Sequence, residues 1–324
     1  MFELAFLGTA ATTPSATRGL PALLVTAGSD RYLIDCSEGT QRQLHHAGAG
    51  FRRLRHVLLT HAHLDHVLGL AGLIASFGLF DLREELTIAG SAQTIALVDR
   101  YLCGLWPERR APVPVRLVPL PSGPVLKGRG YEISCFPVHH RSTESLGYRF
   151  TAAPRRHMDV ARLQAMGVPS GPLRARLAQG EAVMLPDGSR VEPDAVLGPA
   201  MPGIRLAVVG DCEEVDSLVE HVRGADALVI EATFLEADAA LAAERGHLTA
   251  AQAGRLAAEA GVGALYLQHI SGRYDPADIA AEARRHFTNA RVMNDFDRVT
   301  VTSRNTIACH SGIAEGSAPR AAPE

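Results

Sequence analysis

The amino-acid sequence predicts a layered α/β fold in which helices cover β-sheets. Short apolar runs and longer segments of helical period alternate through both halves of the chain, the pattern of packed sheet and helix layers. At 47% hydrophobic the chain buries a substantial core, which excludes global disorder. Its 324 residues fit either one large layered domain with an insertion or two small domains.

In chain order, apolar runs of strand length fall at 2–7, 22–26, 32–35, 56–59, 86–89, 115–119, 131–138 and 146–150. Each is bounded by Gly, Pro, Ser or Asp, as strands commonly are. Segments of helical period lie between some of them at 39–47, 68–80 and 92–102. The character changes over 151–203, which is rich in Pro, Gly and Arg and lacks a sustained apolar period; it reads as an inserted arm rather than core. The pattern resumes with a strand at 204–209, a helix at 215–222 and a strand at 227–230. Helices at 235–245 and 249–260, a strand at 264–269, a helix at 276–287 and strands near 291–301 follow. One domain therefore spans 1–310, and the low-complexity residues 311–324 read as a disordered tail.

Composition narrows the function. A net charge of −3 gives no global basic signature, so any nucleic-acid contact must come from local patches. With 5% aromatic residues, base-stacking platforms do not dominate. The five cysteines (Cys36, Cys103, Cys135, Cys212, Cys309) are odd in number and form no CxxC, which reads as reduced thiols in a cytoplasmic protein. The opening residues run straight into a strand without a secretory leader pattern. No apolar run approaches the ~18 residues that a membrane helix needs.

The segment that carries chemistry is His61-Ala-His63-Leu-Asp65-His66, placed directly after an apolar strand. Three imidazoles and a carboxylate within six residues supply the nitrogen and oxygen donors that zinc binds at about 2.0–2.2 Å. His61 and His63 point to one side of an extended backbone, and Asp65 and His66 can face a second ion. The competing reading, a surface turn rich in histidine, requires a rare pattern to arise by chance. Further ligands follow later strands: His139 or His140 after 133–138, Asp211 after 206–209 and His269 after 265–267. Side chains at successive strand ends converge on one rim of a sheet.

This set resembles the metallo-β-lactamase superfamily, whose fold is a four-layered αββα sandwich. The resemblance implies two zinc ions per chain, with His61, His63 and His140 on one, Asp65, His66 and His269 on the other, and Asp211 between them. His140 is preferred to His139 because it directly precedes the loop RSTESLGY. Other segments are similar to the ribonuclease Z family: FLGTA from Phe6, DCSEGTQ from Asp35, LGYRF from Leu146, EATF from Glu231, GHLT from Gly246 and HISGRY from His269. Leu64 and Ser37 stand where that family usually has Gly, Cys212 where Thr is common, and Ile230 at the His position of its HEAT motif. None of these departures removes a metal ligand.

What the resemblance implies is an endoribonuclease that removes 3′ trailers from precursor tRNA and works as a homodimer. The alternatives are a small-molecule zinc hydrolase on the same fold and a non-catalytic RNA-binding relative. Asp65 would orient the attacking water. His247, held by Glu231, would protonate the leaving 3′-oxygen, although a helix N-terminal role before Thr249 is the other reading of that histidine. Arg273 of HISGRY would contact substrate. So would the arm, where Arg155, Arg156, Arg162, Arg174 and Arg176 face the single acid Asp159 over 155–180. By composition alone a solvated Arg-rich loop is the favoured reading of that arm, and the resemblance reverses it.

Overall fold

Strand Phe2–Gly8 shows how the fold is specified. Its residues alternate in direction: Ala5 and Leu7 enter a core shared with helices, whereas Phe2 and Phe6 face the second sheet. The computed structural model describes residues 1–303 other than Arg83 and the side chain of Arg109, together with the backbone of Cys309–His310. The low-complexity stretch 311–324 lies outside the described residues.

The first sheet has the order Cys309–His310, Arg298–Val301, Phe2–Gly8, Ala22–Ala27, Asp30–Ile34, Leu54–Leu58, Leu86–Gly90, Val115–Pro119. From Asp30–Ile34 onward its strands are parallel, with helices in the crossovers. The second sheet runs Ala290–Val292, Leu265–Gln268, Ala227–Glu231, Ile204–Val208, Thr143–Ala152, Tyr131–His140, Gly123–Gly128, and its first four strands are parallel. Each sheet thus joins an antiparallel meander to a set of parallel βαβ units.

The sheets meet along an aromatic seam. Phe2 lies 5.8 Å from Phe150 and 6.2 Å from Tyr131, Tyr32 lies 5.7 Å from Phe150, and Phe6 lies 6.3 Å from Tyr266. Phe2, Phe6, Tyr32, Tyr131, Phe150 and Tyr266 therefore serve packing between the sheets. The Tyr148 hydroxyl donates to the Leu59 carbonyl at 2.5 Å, tying the second sheet to the strand end that leads into His61. Helices Thr40–His46, Leu70–Leu79 and Ala92–Leu105 cover the outer face of the first sheet, through residues such as Leu44, Leu73 and Val98. Ala250–Glu259 and Pro276–Arg284 cover that of the second, through Leu256 and Ile279. Four layers, αββα, result.

Three features correct or extend the sequence expectations. Gly123–Gly128 is an edge strand, unforeseen because Gly and Pro at its start read as a turn. The helix expected at 215–222 is a single tight turn, Asp216–Leu218, followed by the short helix Val219–Val222. The strands near 291–301 belong to different sheets, Ala290–Val292 closing one and Arg298–Val301 returning to the other.

Residues Ala152–Ile204 form a separate compact unit. It contains the helices Val160–Ala165 and Pro172–Ala178, and strand Arg155–Met158 pairs with Leu197–Met201. It also has a small core of its own, including Leu163, Leu177, Val183 and Val196. Those residues are too irregularly spaced to give an apolar period, which is why the sequence concealed the core.

Candidate metal centre

Strand Leu54–Leu58 brings the chain to Thr60, after which His61 and His63 lead into the short helix Leu64–Val67 bearing Asp65 and His66. Strand Tyr131–His140 alternates, with Val138 and His140 buried and Pro137 and His139 exposed. The two-residue period turns His140 inward and leaves His139 in solvent. Asp211 follows Ile204–Val208, Glu231 ends Ala227–Glu231, and His269 follows Leu265–Gln268. Parallel strands present these residues at their carboxyl ends, where loops build sites on a rigid sheet.

Two groups form there. His61, His63, His140 and Asp211 each place a ligand atom within 4.8 Å of the others, as do Asp65, His66, Asp211 and His269. Asp211 belongs to both. Its Oδ2 lies 3.8 Å from His61 Nε2, 3.5 Å from His66 Nε2 and 3.9 Å from His140 Nε2, and its Oδ1 lies 3.4 Å from His269 Nε2. Asp65 Oδ2 lies 3.8 Å from His66 Nε2 and 3.9 Å from His269 Nε2. Donors bonded at about 2.0–2.2 Å to one tetrahedral ion sit about 3.3–3.6 Å apart, close to this spacing.

Hydrogen bonding supplies an independent test of whether these residues suit a cation. Nε2 of His61, His66 and His269 and Oδ1 of Asp211 are buried without a hydrogen-bond partner. Orphaned buried polar atoms are unfavourable, and cations bound in the two groups would satisfy all four. The opposite ring nitrogens are held. His61 Nδ1 lies 3.0 Å from Thr60 Oγ1, His66 Nδ1 2.8 Å from Asp35 Oδ2, His140 Nδ1 2.8 Å from the Gly246 carbonyl, and His269 Nδ1 2.8 Å from Thr233 Oγ1. Such outer contacts fix ring orientation and tautomer. The donor set fits a metal.

Electrostatics favour neutral rings at His61 and His63 and a charged Asp211, whereas at His66 burial is outweighed by Asp211 and Asp35, which hold its pKa well above the ordinary value. Burial, and next the neighbouring His66, hold the His61 imidazole well below its ordinary pKa; burial and His140 lower that of His63. Both rings are therefore neutral, with a lone pair to donate. Burial alone would raise the Asp211 carboxyl, but His269 and His66 outweigh it and hold it well below the usual carboxylate range.

Glu231, His247 and His269 also come within 4.8 Å of one another. Glu231 is nevertheless occupied. Its Oε1 accepts from Cys212 N at 2.8 Å and lies 3.0 Å from His247 Nδ1, while Oε2 accepts from Thr233 Oγ1 at 2.5 Å and Leu248 N at 3.2 Å. It works as a hydrogen-bond hub. Burial opposes charge on His247, but Glu231 prevails and moves its pKa up to about 9. Glu231 thus favours the protonated form of this imidazole beside the cluster.

The cluster opens into a cleft of about 640 Å³, lined also by Thr12, Thr13, Arg141, Arg245 and Arg273. The sequence reading missed Asp35, Thr60 and Thr233, whose carboxylate and hydroxyls orient the rings; the strand-end position of Asp35 was the available signal. In the unit Ala152–Ile204, Arg156 donates to the Gly198 and Leu197 carbonyls and pairs with Asp194. Arg174 donates to the Val168 carbonyl at 2.7 Å, and Arg176 pairs with Glu181 at 2.9 Å. Arg155 is exposed and has no such partner among the described residues.

The family model described as a β-lactamase superfamily domain matches residues 30–193 and 172–270. Ribonuclease Z of Bradyrhizobium diazoefficiens is 53% identical over 301 residues, covering 93% of this chain and 100% of the relative. The chain belongs to the ribonuclease Z family. A more distant family member, from Gemmatimonas aurantiaca, is 37% identical over 94% of this chain and 97% of its own. The fold is also that of human tRNase Z, short form: TM-score 0.64, 23% identity, covering 92% of this chain and 98% of that one. Ile230, directly before the EATF segment, is fully buried in the core of the second sheet, and Glu231 is held by Cys212, Thr233, His247 and Leu248.

Proposed function

We propose that the chain is a zinc-dependent endoribonuclease that cuts 3′ trailers from precursor tRNA, leaving a 3′-hydroxyl on the tRNA and a 5′-phosphate on the trailer. The observation that carries this reading is a set of orphaned imidazole and carboxylate atoms on an open cleft, in a chain of the ribonuclease Z family. His61, His63 and His140 would hold one zinc, Asp65, His66 and His269 a second, with Asp211 shared. Nitrogen and oxygen donors without thiolate suit zinc in a catalytic rather than a structural site. Two such ions supply Lewis acidity and a nucleophile at neutral pH.

The residues do the rest. Asp65 orients the attacking water. His247, kept protonated by Glu231, donates its proton to the departing 3′-oxygen. Arg273 contacts the RNA at the cleft. Residues 155–180, with five arginines against one acid, act as a cationic clamp with Arg155 as its free guanidinium, while Arg156, Arg174 and Arg176 secure the clamp's own structure before they meet phosphate. We place the enzyme in the cytoplasm as a homodimer whose clamp serves the partner's cleft. No helix among the described residues is long and apolar enough to cross a membrane.

The deciding experiment incubates zinc-loaded protein with a 3′-extended tRNA precursor and maps the products to the nucleotide. A single cut at the trailer junction, with the stated ends, is expected. Hydrolysis of small phosphodiesters with no action on the precursor would sink the reading.

A further inference from the structure

Three guanidinium groups line the catalytic cleft, Arg141, Arg245 and Arg273, and all three residues are exposed. Arg141 is built into the centre in a way the others are not. It directly follows His140, and its φ of 51° lies in the left-handed region, which a non-glycine residue keeps only where the surroundings hold it there. Its N–H donates to Glu213 Oε2 at 2.8 Å. Its stem lies over Gly246, where an added Cβ would come within 2.6 Å of Arg141 Cγ. The carbonyl of that glycine meets His140 Nδ1 at 2.8 Å. The stem of Arg141 and the ring of His140 therefore rest on one residue and keep a fixed relation.

The head group is by contrast almost unengaged. Of its five possible N–H donors, one makes a long contact of 3.5 Å to the Arg245 carbonyl. Among the described residues no carboxylate pairs with it. Arg245 has Glu244 at 3.7 Å, and the arginines at 156, 174 and 176 are tied within their own unit. A cation with an anchored backbone, a supported stem and a free fork is a recognition element awaiting an anion.

We propose that Arg141 is a substrate-binding residue that grips an RNA phosphate adjacent to the one being cut. The buried cluster takes the scissile phosphate, and the exposed Arg141 on the same cleft reaches the next one along the strand. A guanidinium fork matches two phosphate oxygens at once, which an ammonium cannot do. This inference rests on the endoribonuclease reading and assigns a contact within it.

The test compares wild-type, R141A and R141K proteins, full-length and zinc-loaded. It measures precursor-tRNA affinity as a function of salt, cleavage of bis(p-nitrophenyl) phosphate, and zinc content. R141A should weaken precursor binding about tenfold more than it slows the small ester, and reduce the log–log salt slope by about 0.7, the value for one single-strand phosphate. R141K should restore the slope but only part of the affinity. R245A should have a smaller effect, because Glu244 already neutralises that charge in part. If R141A fails to fold, R141G suits the left-handed backbone and takes its place. Unchanged affinity and slope would overturn the assignment. Parallel loss of zinc and of both activities would also overturn it, making Arg141 a prop for His140. A wild-type protein that cleaves the small ester but neither binds nor cuts the precursor would overturn the endoribonuclease reading itself, and this contact with it.

Discussion

At the rim of the two sheets, Nε2 of His61, His66 and His269 and Oδ1 of Asp211 are buried and unpartnered; in the unit Ala152–Ile204, most charged groups lie at the surface and several pair with one another. The first arrangement is unfavourable and persists because rigid strand ends and held outer nitrogens leave the rings no alternative. The second resembles an ordinary protein surface, where each ion pair contributes only ~0–1 kcal/mol. Order in this smaller unit depends on its own modest core, and small cores sit at the low end of local stability. Chemistry is therefore fixed in one region, while the other offers charge without a rigid target. The difference predicts which substitutions damage every substrate and which damage only RNA.

The largest effect belongs to the rim. Asp211→Ala should abolish cleavage of tRNA and of bis(p-nitrophenyl) phosphate alike, by well over the ~10–100-fold typical of losing an outer partner of a metal ligand. The fold should persist by circular dichroism, since the sheets supply the core. Elemental analysis should find about two zinc ions per wild-type chain; at most one at full occupancy would end the two-ion assignment.

His247→Gln should cost about 10²-fold on tRNA, within the usual range for a general acid. It should cost far less on the p-nitrophenyl ester, whose leaving group departs without a proton. Equal losses would make His247 a structural neighbour of Glu231 and would blur the division within the rim itself.

Deleting 155–185 should weaken precursor binding and flatten its salt dependence, with a much smaller loss on the ester. Mixed dimers of this deletion with an intact-clamp Asp211→Ala subunit should regain tRNA processing. Equal loss on both substrates would show that the unit is structural, and unchanged processing would remove it from recognition. The smallest expected effect separates two neighbours: His139→Ala should remain near wild type by kcat/KM, whereas His140→Ala should behave like Asp211→Ala.

The rim was legible because its signals are local. HxHxDH occupies six consecutive residues, and His140, Asp211 and His269 each sit where an apolar strand visibly ends. The outer contacts were not legible. Asp35 and His66 are 31 residues apart, and Thr233 and His269 are 36 apart; nothing near either residue announces its partner. The smaller unit was harder still. Its helices are only four to seven residues long, so tertiary contacts rather than periodicity define them. Edge strand Gly123–Gly128 was hidden for a related reason, since Gly and Pro there carry the signature of a turn.

Arg141 occupies a backbone conformation that glycine adopts without strain and arginine does not. Replacing it with glycine would relieve strain of order 1 kcal/mol at an exposed position, where no buried partner is lost. Heat selection would accept that exchange, and selection for RNA affinity would reject it. In a laboratory population evolved for thermal tolerance alone, this position should be among the first to drift, and tRNA processing should fade while the metal centre is still whole. An arginine retained there after such an experiment would measure how strongly the RNA holds it in place.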